Sequence, residues 1–560
     1  MERRALIAVV ISLAILILYQ ELVIKHFYPL PSEAPATPAA ETGPPSQGPA
    51  ATKPTAEAGP PLAEREKGPA PAVEPGAAAP PTAEVAAVKG RDVIVDTDLY
   101  RAVFTTAGAR LKSLQLKRYR TTVDENSPPL QLVLEPVQSD LPLGVDLRGK
   151  QVLNDRGVLY RADHDHINVH GSQVATVTFT GETDGATIQK SFQVRGDSYL
   201  FGCDIKAANV PPAYTEMAIA WHEGAPQEAH RAREVLFDNV VVLQGPKLRR
   251  HAFAKLDKGE VLEDDIEWVA FSGRYFLAAM VPRVDAENYL RVWMKKRETS
   301  VETQLLLAPG TFDVGLDLYL GPKNASVLDR VGHQLRRAVD LGWFTFIALP
   351  LLQVLHLFHH VTGNYGIDII LLTVLIKILF VPLTQKSLTS MREMQKLQPQ
   401  MTAIRERYKD KPDQMNKEIM ELYRRHKVNP LGGCLPMVLQ IPVFIGLYEG
   451  LLNAVELRHA PFFLWINDLS APDRLGTVKL PYVTPAGFPV LTLLMGVSMF
   501  LQQWMTPSTG DPTQQRVMLI MPVVFTFMFI NFPSGLSLYW LVNNILTIAQ
   551  TYVINKKSGK

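Results

Sequence analysis

Hydrophobic positions along the chain fall into two regimes. Between residues 91 and 325 apolar and polar residues alternate in short runs. Asp92-Val93-Ile94-Val95, Ala175-Thr176-Val177-Thr178-Phe179, Tyr289-Leu290-Arg291-Val292-Trp293 and Leu316-Asp317-Leu318-Tyr319-Leu320 are examples. A period of two with Gly, Pro and Asp punctuation predicts half-buried strands. Many such strands with no helical stretches between them predict an antiparallel sandwich. Beyond this region the apolar runs lengthen. The run at 366–384, GIDIILLTVLIKILFVPLT, is long enough to cross a bilayer, which takes roughly 20 residues.

That run carries Lys377 in its interior, whereas Asp368 lies near one end, where headgroups or water can solvate it. Thr373, four residues before Lys377, shares its helix face. An ionisable group inside lipid costs about 2.5–3.5 kcal/mol on insertion scales, so it either snorkels to the headgroups or faces a polar interior.

The remaining runs set a topology. Arg3 and Arg4 precede an apolar run at 5–24, longer than the roughly 7–15 residues of a signal-peptide core. Residues 1–28 therefore read as an uncleaved anchor with its N-terminus in the cytoplasm. Residues 29–90 are a Pro/Ala-rich tract that cannot bury enough surface to fold and reads as a disordered periplasmic linker. Residues 326–362 read as an amphipathic helix lying in the interface. A true span there would reverse every later loop and put the basic ones outside. Residues 385–429 are rich in Lys and Arg and so lie in the cytoplasm. Their apolar stripes, Met391, Met394, Leu397, Met401, Ile404 and Tyr408 and then Met415, Ile419, Leu422 and Tyr423, predict a helical hairpin. It breaks at Lys411-Pro412-Asp413. Its tip, Tyr408, Asp410, Lys411 and Pro412, is a candidate contact surface. Further spans are read at 434–455, 487–505, 517–532 and 536–554. The count is six transmembrane helices with both termini cytoplasmic, five of them within 363–560.

The last span is unusually polar. Trp540, Asn544, Thr547 and Thr551 follow one helical face. Singly, such groups hydrogen-bond neighbouring helices. Together with Gln440, Thr373 and Lys377 they are candidates to line one hydrated recess, because an intramembrane cation is usually accompanied by polar surroundings.

Composition narrows the function further. The 560 residues are 47% hydrophobic, enough for two or more domains, and the net charge of +2 points to no partner by itself. Two cysteines, Cys203 and Cys434, lie far apart and predict neither a disulfide framework nor a metal site. The trio His164, His166 and His170 lacks recognised ligand spacing and reads as a polar strand and loop. The sequence has no Walker-type phosphate loop, no HExxH and no G-x-S-x-G elbow, so nucleotide or peptide hydrolysis is not indicated. No cofactor, no metal and no nucleotide or DNA partner is expected, and the chain does not read as an enzyme.

At this point the residues resemble the YidC family of membrane protein insertases. The stretches that carry the resemblance are GNYGIDIILLTVLIKILFVPLT, LQPQMTAIRERYKDK, KVNPLGGCLPMVLQIPVFIGLY, VELRHAPFFLWINDLSAPD, DPTQQRVMLIMPVVFTFMF and FPSGLSLYWLVNN, in that order. The anchor, linker and β region resemble the Gram-negative form. The resemblance implies a periplasmic all-β supersandwich at 91–325, of a kind related to sugar-mutarotase folds. It implies five core spans around a hydrophilic groove open to cytoplasm and lipid. The groove's cation is typically arginine in the family, and Lys377 stands at that position. Thr373 and Trp540 match positions that contact incoming chains. Implied partners are nascent membrane proteins, the Sec translocon, the ribosome and the lipid bilayer of the bacterial inner membrane.

The mechanism expected from this combination needs no bond chemistry. A hydrated recess shortens the apolar distance for a polar flank, Lys377 attracts acidic residues in that flank, and the apolar segment leaves into lipid. Two rivals from other classes are a polytopic transporter or channel with a periplasmic sensor domain, and a scaffold whose β domain binds other envelope proteins. Only one intramembrane cation and no clear inverted repeat argue against the transporter.

Overall fold

The computed structural model describes residues 90–124, 126–133, 141–224, 236–283, 290–297, 300–426, 428, 435–479, 481–483, 485–505 and 512–558. The expected anchor at 1–28, nearly all of the expected linker, the predicted helix break at 429–433 and Cys434 lie outside the described residues.

The alternating region forms three sheets. The nine-stranded sheet runs in the order Lys247–Ala252, Asn239–Gln244, Ile266–Ser272, Phe276–Pro282, Asp313–Pro322, Leu200–Ala208, Ala186–Arg195, Val174–Thr183 and Arg161–Ala162. The six-stranded sheet runs Glu260–Glu263, Arg291–Lys296, Ser300–Leu306, Tyr214–Gly224, Gly144–Gly149 and Val152–Asn154. The five-stranded sheet runs Pro129–Val133, Arg110–Arg120, Tyr100–Thr105, Asp92–Thr97 and His166–Val169. Alternation places Trp221, Trp268, Phe271, Phe104, Phe179 and Phe192 inside, and the Phe104 and Phe192 rings lie 4.5 Å apart.

One pairing departs from the antiparallel expectation. Asp92–Thr97 pairs with His166–Val169 in parallel, in the register Ile94 to His166 through Thr97 to Val169. Tyr100–Thr105 already occupies the other edge of the first strand. The chain returns past Ala107, where Leu159 forms a bridge, and so enters the free edge at the Asp92 end. Direction of entry rather than side-chain pattern decides this pairing.

The strand Ala186–Arg195 turns Ala186, Ile188, Lys190, Phe192 and Val194 inward, so a lysine occupies a core position. Lys190 is fully buried. Its Nζ donates to the carbonyls of Gly108 and Leu143 at 2.7 Å each and lies 2.6 Å from Asp155. Arg110 reaches the same carboxylate at 2.7 Å, and the Tyr160 hydroxyl donates to it at 3.1 Å. Burial pushes the Asp155 carboxyl upward, but the adjacent Lys190 and Arg110 outweigh it and hold the group below the ordinary carboxylate value.

The segment 326–362, read from sequence as one amphipathic helix, is three pieces. Asn324 caps α1 (Ala325–Val331), accepting from the Val327 amide at 2.9 Å. Gly332, His333 and Gln334 then take positive φ values of 85°, 49° and 55° and reverse the chain into the 3-10 turn Leu335–Ala338. Leu328, Leu335 and Ala338 join the β-domain core. Only α2 (Thr345–Thr362) continues as an apolar helix. The apolar demand of the sheet edge competes for the first half of the segment and wins.

Asn364 opens α3 (Tyr365–Lys396), accepting from the Gly366 and Ile367 amides at 2.9 and 3.2 Å. At 32 residues α3 runs without interruption through the region expected to begin the hairpin. The hairpin's first arm is therefore the end of α3 followed by α4 (Gln398–Arg407), and its second arm is α5 (Pro412–Arg425). Pro412 sits at the first helical position, where its missing N–H costs no bond. Met394, Leu397, Met401, Leu422 and Tyr423 bury against one another, so the stripes mainly hold the hairpin together. Tyr408 is half-buried, whereas Asp410, Lys411 and Pro412 are exposed at the tip.

The remaining helices are α6 (Leu435–Asn453), α7 (Val490–Met505), α8 (Pro512–Phe529) and α9 (Ser534–Ser558). Their shared core comprises Leu355, Ile369, Leu372, Leu447, Leu451, Leu491, Met495, Phe529, Leu536 and Tyr539. Among the described helices, α2 and α3 are long and apolar enough to cross a membrane, and α7 and the Met518–Phe529 part of α8 are shorter apolar helices. Gly366 allows the Phe462 ring to lie directly on α3, where a Cβ would collide with it.

The described residues between 454 and 489 close one end of this bundle. Buried Asp473 accepts from the Trp465 indole at 2.6 Å and from the Thr492 amide at 3.3 Å at the start of α7. Arg474 donates to the Ile530 carbonyl at 2.9 Å and to Asn531 at 2.8 Å, beyond the end of α8. The same loop meets the β domain. Val455 belongs to the β-domain core, Glu456 bonds Asn324, and Arg458 donates to the Arg120 carbonyl at 2.8 Å while lying 5.7 Å from the Phe276 ring centre.

Candidate functional site at the Lys377 seam

The bundle places α3 and α9 side by side, running in the same direction. Lys377 Nζ donates to Thr547 Oγ1 at 2.7 Å. Seven residues further along α3, Thr384 accepts from Gln550 at 3.0 Å. Arg392 then donates to the Ile554 carbonyl at 3.1 Å. Partners that rise together in both helices require parallel chains. Lys377 is half-buried, and no ion pair joins it to a carboxylate among the described residues. The Thr547 hydroxyl is turned by its own helix, donating to the Asn543 carbonyl at 2.6 Å, which leaves its lone pairs toward Lys377.

The residues expected to line one recess separate into two sets. Lys377 and Thr547 meet directly, whereas half-buried Gln440 makes a long 3.5 Å contact with the Tyr539 hydroxyl, about two helical turns from Thr547 on α9. Thr373 is 1% exposed, and its hydroxyl donates to the Ile369 carbonyl of its own helix at 2.6 Å. Asn544 is 2% exposed and donates to Ser498 of α7 at 2.9 Å. In this structure Asn544 is bonded to α7, and the Thr373 hydroxyl is satisfied by the backbone of α3. Trp540 is half-buried against Phe444, Phe525 and Phe529, with the Phe444 ring 4.7 Å away and edge-on. Thr551 is buried as well.

Sequence reading did not join Thr384, Gln550 and Arg392 to the polar seam, which they extend beyond Lys377. Their signal was present: Gln550 lies three residues after Thr547, and Thr384 seven after Lys377, both on continuing helical faces. It also missed Asp473 and Arg474, which close the opposite end.

What the seam can do follows from its contents. It holds Lys377 within the apolar run and Arg392 further along, with hydroxyls and amides between them, and no nucleophile paired with a base is found there among the described residues. A lysine whose recorded partner is a neutral hydroxyl keeps its charge available to an incoming carboxylate, in contrast to a lysine already in an ion pair. Such an arrangement can bind and hydrate an acidic flank.

Residues 357–560 match the family described as 60Kd inner membrane protein, and residues 92–354 match the one described as YidC periplasmic domain. A protein of Syntrophus aciditrophicus named membrane protein insertase YidC is 40% identical over 576 residues and covers 100% of both chains. The chain belongs to the YidC family of membrane protein insertases. A second member, from Syntrophobacter fumaroxidans, is 44% identical over 479 residues, covering 82% of this chain and 86% of its own. A solved structure titled as an active YidC insertase with its first transmembrane domain resolved is 18% identical, covers 83% of this chain and 93% of its own, and aligns with a TM-score of 0.36. The two matched segments meet within α2, so that the first takes in the whole β-rich domain and the second the helices from α3 onward.

Proposed function

We propose that this chain integrates newly made proteins into the bacterial inner membrane by receiving a polar, acidic flank at the Lys377 seam and releasing the apolar segment into lipid. The observation that carries the proposal is Lys377 on an apolar helix, bonded to Thr547 and to no carboxylate among the described residues. Attraction across such a weakly screened site is stronger than in water. Lys377, Thr547 and Gln440 act as the groove residues, Trp540 borders the path, and Thr373 and Asn544 keep its walls in register. Lipid solvation of the new helix, at about 0.8 kcal/mol per buried CH₂, supplies much of the driving force.

The topology proposed with it has six spans, five of them α3, α6, α7, α8 and α9, with the β domain periplasmic and both termini cytoplasmic. Charge supports it, since the basic hairpin then lies inside. Contact supports it independently. The β domain precedes α2, and the 454–489 loop follows α6, yet Arg458 and Val455 join the two. Segments on one side of a membrane are separated by an even number of crossings. With α3 and α6 crossing, α2 lies in the interface despite its length.

The exposed hairpin tip at Asp410, Lys411 and Pro412 receives the emerging chain. Nascent membrane proteins, the Sec translocon, the ribosome and the bilayer are the partners proposed from the family resemblance. Shortening the hairpin across residues 398–425 should lower insertion more than membrane level, and undiminished insertion would remove the tip from the path.

Reconstitution tests the main reading. The purified chain in liposomes should integrate a small single-span protein without nucleotide. Solute uptake in place of insertion would indicate a transporter, and neither activity would indicate a scaffold.

A further inference from the structure

Where the β domain gives way to α2, the chain builds a cavity of about 410 Å³. Its walls combine Ala325, Val339, Leu341 and Leu349 with Arg336, Arg337 and Asp329. Three consecutive positive-φ residues, Gly332, His333 and Gln334, fold the 3-10 turn back on α1 and bring Arg336 to within 2.8 Å of Asp329. Arg337 is held from both sides: it donates to the Pro246 carbonyl at 2.6 Å and to Gln334 at 3.4 Å, and its recorded partners are neutral. Among the cavity's lining residues Arg336 and Arg337 stand against Asp329, an excess of one positive charge. Directly beyond it, Trp343, just before α2, and Phe346, in its first turn, are 96% and 71% exposed.

We propose that this cavity binds the phosphate headgroup of an anionic phospholipid from the outer leaflet, with the acyl chains descending into the bilayer past the apolar start of α2. The position of the cavity selects this occupant. It opens where the folded β domain ends and an apolar helix begins, the depth at which tryptophan and phenylalanine partition to the membrane interface. Guanidinium groups match phosphate oxygens in pairs, and each has five N–H donors. Arg337 spends one recorded bond on each terminal nitrogen, and Arg336 one on Asp329, so donors remain for a phosphate. Leu341 and Leu349 line the cavity on the side that continues onto α2, which suits the glycerol and first methylenes of a lipid and would be wasted on a free anion. The site fixes the β domain and α2 to one leaflet. It rests on the interfacial placement of α2 and not on the Lys377 seam.

The test uses the full chain carrying a photo-crosslinking benzoylphenylalanine in place of Phe346, reconstituted in phosphatidylcholine bilayers with and without phosphatidylglycerol. A second chain carries the crosslinker in place of Leu357, which is exposed on α2 away from the arginines. Phosphatidylglycerol should be labelled in preference at position 346 and not at 357, by about fivefold for each arginine engaged. Arg336→Gln/Arg337→Gln should erase the preference, and the corresponding double lysine variant should retain most of it. Asp329→Asn, which removes the carboxylate competing for Arg336, should raise it. If the double glutamine variant does not reach the membrane, Arg336→Gln alone and Asp329→Asn decide, since both side chains are partly exposed. Equal labelling of the two lipids, or a preference that survives loss of both arginines, would overturn the proposal. Abolition of the preference by inorganic phosphate would reassign the cavity to a free anion and equally overturn it.

Discussion

Two lysines, Lys190 in the β domain and Lys377 in the helical core, sit on otherwise apolar elements and are used in opposite ways. Lys190 is completely enclosed, and its charge is spent on Asp155 and on the carbonyls of Gly108 and Leu143. Lys377 is half-buried, and its recorded partner is the neutral hydroxyl of Thr547. The first arrangement tolerates no change of partner, because either loss leaves a buried charge or an unsatisfied carbonyl. The second keeps a charge ready for a group that comes and goes. A buried cation therefore becomes informative about function only once its partners are known.

The comparison predicts the largest effect at Asp155. Asp155→Asn leaves Lys190 and Arg110 as uncompensated neighbours and should destabilise the β domain by about 3–5 kcal/mol, measured by denaturant unfolding of the detergent-solubilised chain. A change below about 1 kcal/mol would mean that the cluster is not held as described. The wild-type cluster also carries a pH signature. Asp155 titrates below its unfolded value, so its contribution is complete above the ordinary carboxylate pKa of about 4 and is lost as pH falls through the folded value. Stability should fall more steeply with acid in the wild type than in Asp155→Asn.

A smaller effect is expected at Asn544. Asn544→Leu removes the bond to Ser498 between α9 and α7 and should cost about 0.6–1.7 kcal/mol, in line with polar pairs in membrane bundles. Insertion per folded molecule should be unchanged. A selective loss of insertion at full stability would return Asn544 to the groove. Smaller still is Thr547→Val, which takes the hydroxyl from Lys377 and leaves its charge. Stability should change by about 0.5 kcal/mol, and discrimination between acidic and neutral clients should persist. Loss of discrimination would mean that Thr547, rather than the charge itself, sets the site.

The sequence made some of this readable and hid the rest for definite reasons. Strict alternation announced Asp92–Thr97, Val174–Thr183 and Asp313–Pro322. It equally showed Lys190 on the inward positions of Ala186–Arg195, had that strand been read face by face. Alternation carries no information on strand direction, so the parallel partner at His166–Val169 was invisible. Lys377 stood out because a charge inside an apolar run is costly. Its pairing with Thr547 was within reach, since both positions were singled out. The burial of Thr373 and Asn544 was not, because helical period defines a face but not the neighbour that covers it. The segment 326–362 looked like one amphipathic helix because its apolar positions serve two cores, the sheets through Leu328 and Leu335 and the bundle through Leu355.

Insertion of paired clients that differ only in acidic flank residues tests the central claim, with the full chain reconstituted and its membrane level matched between variants. The wild type and Lys377→Arg should both favour the acidic client, because arginine keeps the charge. Lys377→Met keeps similar bulk without charge, and should lower insertion of the acidic client by about tenfold while sparing the neutral one, the equivalent of about 1.4 kcal/mol. Lys377→Glu should be worse, because like charges repel in a weakly screened recess. Equal insertion of both clients by Lys377→Met at wild-type rates would contradict the account and leave Lys377 as a lysine that merely snorkels.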